Sequence, residues 1–109
     1  MFPTDDIIVA RDFARTLLTG ATAPAGLLTE ARLVLTAACL HIHARIGPDP
    51  SLGDLRDFIM DLRGGAANWV TLAASPIQFV RYAAAEFGDA GGATRSVLDL
   101  VLRALEATL

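Results

Sequence analysis

The stretch EARLVLTAACLHIHARIG carries the chain's single cysteine, Cys39, and both of its histidines, His41 and His43, within five positions. A thiol and two imidazoles are the side chains of zinc ligation and of cysteine nucleophiles. On a helix, however, His41 and His43 point about 200° apart and cannot share a metal ion. Cys39 and His43, four apart, do share a face, but a zinc site takes three or four protein ligands and the chain has no other cysteine or histidine. The helical wheel gathers Arg32, Thr36, Cys39 and His43 into one narrow polar stripe and sets His41 opposite, with Val34 and Ala38. The expectation is a wet stripe holding Cys39 and His43, and a partly buried His41.

Three further sets of polar residues have the spacing to act together. Asp54, Asp57 and Asp61 recur at intervals of three and four, which puts them on one helical face. Acid–base work by such carboxylates requires an apolar pocket that raises one pKa, and nothing apolar interleaves them. The face reads instead as a solvated acidic stripe able to attract a basic peptide. Arg81 and Arg95 flank the segment GDAGGAT, where either could hold an anion or a partner's carboxylate. Trp69 reads as a core or hinge anchor.

The basic residues are nine arginines and no lysine. That excludes a Walker A loop, a Schiff-base lysine and a Ser/Lys dyad, all of which require an ammonium group. A net charge of −3 and a pI near 5.1 oppose general nucleic-acid binding, which depends on neutralising phosphates. No catalytic, cofactor-binding or metal site is expected.

The elements that position these residues are helices. At 109 residues and 53% hydrophobic, the chain has enough for one domain with one core. Thr4 with Asp5 and Asp6 is a helix start, and Ala10, Phe13, Ala14 and Leu17 follow at helical spacing up to Gly20 as a C-terminal stop, predicting a helix over residues 5–19. GATAPAG reads as a turn, with a second helix over 28–46 that is apolar nearly all round and therefore central. Ser51 caps a third, with Leu52, Leu55, Ile59 and Leu62 inward and Gly64-Gly65 as its end. A short fourth covers 66–74. Ser75-Pro76 opens a fifth, with Ile77, Val80, Ala84 and Phe87 inward. The last starts near Thr94, with Val97, Val101 and Leu105 on one ridge and Leu98, Leu102 and Leu109 on the next. The fold class is all-α, a compact bundle of five or six helices. The longest apolar run, residues 33–40, is far shorter than a bilayer crossing, so no membrane helix is expected. An acidic N-terminus unlike a secretory signal and a lone cysteine point to the cytoplasm.

Three segments, ARLVLTAACLHIHA (31–44), PSLGDLRDFIMDL (50–62) and SPIQFVRYAAAEFGDAGGATRSVLDLVLRAL (75–105), resemble the all-α domain of TraG/TraD-type coupling ATPases of type IV secretion and conjugation systems. The positions carrying the resemblance are Ala31, Leu35, Ala38 and His41, then Leu52, Leu55 and Arg56, then Ala84, Phe87, Thr94, Arg95, Ser96, Val97 and Leu98. The resemblance implies a domain excised from a larger, oligomeric, membrane-anchored motor. It would itself lie in the cytoplasm without touching the membrane, and would select relaxase complexes, adaptors or effector proteins for transfer. It also implies that the Walker motifs lie in flanking sequence, that this chain is not an enzyme, and that the acidic stripe of Asp54, Asp57 and Asp61 meets basic signals on the substrates. The principal alternative is a stand-alone helical regulator or scaffold that dimerises through its last helix. A third reading, less favoured by the charge, is a DNA-contacting module using Arg81, Arg95 and Arg103.

Overall fold

The computed structural model describes residues 7–20, 23–46, 52–64, 67–87 and 92–108. Among them the chain forms six helices and no strand: α1 (Ile7–Leu17), α2 (Ala25–Ile46), α3 (Leu52–Gly64), α4 (Ala67–Ala73), α5 (Gln78–Phe87) and α6 (Gly92–Thr108). The expected capping roles of Thr4, Asp5, Asp6 and Ser51, the stop at Gly65 and the inward Leu109 lie outside the described residues.

Each predicted apolar stripe faces one core. Ala10 and Ala14 of α1, Leu55, Ile59 and Leu62 of α3, Val80 and Ala84 of α5, and Val97, Leu98, Val101, Leu102 and Leu105 of α6 are all buried. α2 runs through the centre, against α1, α3, α5 and α6. Its central position follows from composition: a helix apolar on all sides is stable only when neighbours cover all of them.

Being surrounded overturns the wet stripe. Thr36 is 1% exposed and Cys39 2%, as deeply buried as the leucines beside them. A wheel ranks the sides of one helix against each other, and it cannot count how many neighbours will pack on them. The Thr36 hydroxyl is satisfied inside its own helix, donating to the Arg32 carbonyl at 2.6 Å. Cys39 packs as a small apolar residue. The side chain of His43 lies outside the described residues.

The first 18 residues of α2 are more apolar on average than the length of the uninterrupted apolar run suggested. The 18 residues Ala25–Ile42 reach a mean hydropathy of 1.4, long and apolar enough by length and composition to cross a membrane. Counting uninterrupted apolar runs missed this because Arg32 and His41 bound the run, while the leucines and alanines beyond Arg32 keep the average high. In the fold, 56% of this window is buried inside the bundle, the pattern of a core helix.

Helix ends differ from the sequence reading by up to a turn. α2 starts three residues early because the Pro24 carbonyl accepts the Leu28 N–H at 3.1 Å, making Pro24 the capping position. Proline suits a helix start, where its missing N–H is not needed. α1 does not end on a left-handed Gly20. Its last carbonyls are met by the Thr19 N–H on Thr16 at 3.2 Å and the Thr19 hydroxyl on Arg15 at 2.9 Å. α5 begins at Gln78, because the Ile77 carbonyl accepts the Arg81 N–H and Ser75 acts one turn earlier, its Oγ accepting the Ile77 N–H at 3.1 Å.

Gly26 occupies the first turn of α2 with helical backbone, and a Cβ added there meets nothing within 4 Å. Gly26→Ala therefore restricts the unfolded chain without disturbing the folded one. It is expected to stabilise the domain by about 0.5–1 kcal/mol, a rise of about 2–6 °C in Tm. Differential scanning calorimetry reads the shift, and an unchanged or lower Tm contradicts it.

Candidate protein-binding surface

The acidic residues of α3 project away from the core. Leu55, Ile59 and Leu62 define the inward face, and Asp57 and Asp61 lie on the opposite one, both exposed. Asp57 is 73% exposed and pairs at 3.5 Å with the neighbouring Arg56. Asp54 is half-buried in the first turn, where the helix dipole favours a carboxylate. Only Asp57 and Asp61 of the three are therefore fully presented to a partner. Open to water, they lack the enclosing apolar wall that an acid–base pair requires.

The two arginines that flank GDAGGAT in sequence have different surroundings. Arg81 sits in the first turn of α5, about 9 Å along the axis from that helix's last residue. Its Nη1 donates to the Ser75 carbonyl at 2.7 Å, so it holds the α4–α5 turn. Arg95 is exposed in the first turn of α6, next to Thr94, whose hydroxyl reaches back to the Phe87 carbonyl at 3.4 Å and ties α6 to the end of α5. Residues 88–91 between them are outside the described residues.

Cys39 is a buried, protonated thiol rather than a poised nucleophile. Burial pushes the Cys39 thiol from its ordinary value of 9.0 up to about 12, so at neutral pH the nucleophilic thiolate is absent. His41 is 6% exposed and stacks at a tilt on Phe58 of α3, ring centroids 5.2 Å apart. It thus packs α2 against α3. Among the described residues no group of three or more His, Cys, Asp or Glu side chains is placed to hold a metal ion.

Trp69 is the anchor its type suggested. It is 5% exposed, and its indole Nε1 donates to the Leu62 carbonyl at 3.1 Å. Leu62 is in the last turn of α3, where carbonyls lack partners within the helix, so α4 caps α3 through a side chain.

One surface feature was missed. An open cleft of about 450 Å³ lies between α3 and α6, lined by Met60, Arg63, Asp99, Leu102, Arg103 and Glu106. Met60 is 51% exposed, an unusual setting for a large apolar side chain. Arg63 Nε donates to Asp99 Oδ1 at 2.6 Å across the cleft, with both side chains about 40% exposed. The signal was faint because Arg63 and Asp99 are 36 residues apart and only the packing of α3 on α6 joins them. Set against protein-family models, curated proteins and solved structures, the chain matches none of them.

Proposed function

We propose that this chain is a substrate-recognition domain of a type IV secretion coupling protein of the TraG/TraD type. It binds relaxase, adaptor or effector proteins at the cytoplasmic face of the membrane and performs no catalysis of its own. The supporting observation is the outer face of α3, where Asp57 and Asp61 stand exposed on a helix whose opposite face is fixed in the core. A rigid helix carrying unburied carboxylates four residues apart suits a basic peptide segment, which gains electrostatic attraction without a deep pocket. The motor chemistry in this reading belongs to flanking sequence, in keeping with a chain that lacks lysine.

The DNA reading fares worse. Arg81 is engaged at the Ser75 carbonyl, and Arg103 shares its cleft with Asp99 and Glu106, whose carboxylates oppose a phosphate there. The regulator reading keeps one specific feature, the charge pattern of α6 taken up below.

The test is titration of a fluorescently labelled basic signal peptide against the parent domain and the Asp57→Arg, Asp61→Arg double variant. Reversing both charges is expected to weaken binding by roughly tenfold or more at low salt, with the difference shrinking as ionic strength rises. Unchanged affinity in a variant with the parent's circular dichroism spectrum overturns the reading.

A further inference from the structure

The outward ridge of α6 reads Arg95, Asp99, Arg103, Glu106, alternating in sign over about 16 Å of helix. Arg95, Arg103 and Glu106 are exposed and Asp99 is half-exposed, while Val97, Leu98, Leu100, Val101 and Leu105 point into the core. Spacings of four, four and three would let neighbours on this ridge pair along the helix. They do not. Asp99 is drawn sideways to Arg63 of α3, and among the described residues no ion pair engages Arg95, Arg103 or Glu106.

The order of charges has a symmetry of its own. About Val101 the order of charges reverses to within one position: Asp99 mirrors Arg103, and Arg95 falls one residue from mirroring Glu106, each opposite a residue of reversed sign. A helix with this pattern is complementary to itself run antiparallel, the relation that a two-fold axis imposes on two copies of one surface. We propose that α6 is a self-association surface on which a second copy of this chain docks antiparallel. Arg95 then faces Glu106 of the partner subunit, and Asp99 faces Arg103 of the partner subunit, giving four ion pairs by symmetry.

The surroundings suit that occupant. Leu102, next to the axis, is itself buried at 7% exposure, and the half-exposed Met60 of α3 lies beside it in the cleft. Met60 then adds an exposed apolar side chain beside the charges, and the contact is mainly electrostatic. Asp99 gives Oδ1 to Arg63, which leaves Oδ2 for the incoming arginine and helps hold the carboxylate in place. A single helical face of 17 residues is smaller than the roughly 800 Å² per partner of a stable complex, so the pair is weak and salt-sensitive. This surface is independent of the peptide-binding reading of α3, since neither Asp57 nor Asp61 takes part.

Sedimentation equilibrium of the full chain from micromolar to millimolar concentration tests it. At low salt a monomer–dimer equilibrium is expected, weakening by roughly tenfold or more in 0.5 M salt. Arg95→Glu and Glu106→Arg are each expected to weaken the dimer by roughly tenfold, and the double exchange to recover it to within about threefold of the parent, the signature of paired residues in a mutant cycle. All these positions are exposed, and circular dichroism verifies the fold of each variant. A chain monomeric at 1 mM in low salt overturns the proposal, as does a dimer indifferent to the single reversals or one that the exchange leaves as weak as they do.

Discussion

Trp69→Ala is expected to remove about 3–5 kcal/mol of stability, enough to bring a domain of this size close to its unfolding threshold. Two losses combine. The indole is 5% exposed, so truncation leaves a large cavity between α3 and α4. The Leu62 carbonyl also loses its Nε1–H donor in the last turn of α3, where no intrahelical donor can replace it. Trp69→Phe separates the terms by keeping most of the apolar volume and deleting the hydrogen bond, and it is expected to cost about 1–2 kcal/mol. Trp69 is the chain's single tryptophan, so urea unfolding is followed by circular dichroism at 222 nm rather than by fluorescence. A Trp69→Ala midpoint close to the parent's contradicts the anchoring role. A Phe variant as unstable as the Ala variant assigns the effect to the hydrogen bond rather than to packing.

The second large effect is alkaline. Below about pH 9, Cys39 is a neutral thiol in both the folded and unfolded states, and burial has no pH-dependent cost. Between pH 9 and about 12 the unfolded chain releases the thiol proton and the folded chain keeps it. The native state then binds more protons, and stability falls as pH rises, by about 1.4 kcal/mol per unit. Above about pH 12 both states are ionised and the loss levels off near 4 kcal/mol. The absence of lysine removes the titration that dominates this range in most proteins. In a Tyr82→Phe background the slope is expected to persist, and in Tyr82→Phe, Cys39→Ala to vanish, whatever the absolute stability of that variant. The same burial predicts that a thiol reagent at pH 8 labels the folded chain only at the rate of its unfolding, and labels it promptly in urea. Prompt labelling without denaturant contradicts the buried thiol.

Legibility from sequence divided along a physical line. The inward faces of α3, α5 and α6 were readable because an apolar residue every three or four positions specifies one side of a helix relative to itself. Ile59, Val80, Val97, Val101 and Leu105 are buried as that rule requires. The same rule misjudged Thr36 and Cys39, which sit on a polar stripe by count yet are sealed in because α2 meets helices on every side. Of the proposed acidic face, the alignment of Asp57 with Asp61 was readable from their spacing. The half-burial of Asp54 was not, since it depends on what packs beside the start of α3.

The arginines show the same division. Arg81 and Arg95 were grouped because one loop separates them, but a guanidinium reaches whatever carbonyl or carboxylate the fold brings near. For Arg81 that is Ser75, across the α4–α5 turn, and for Arg63 it is Asp99 on another helix. The sequence by itself determined the all-α class, the inward stripes, the central helix and the lack of any lysine ammonium. These depend on residue type and periodicity, which are properties of each segment alone. Tertiary structure decided the burial of Cys39, the indole cap on α3, the α3–α6 cleft and the open charges of α6. Those depend on which segments become neighbours, and the packing of the whole core sets that.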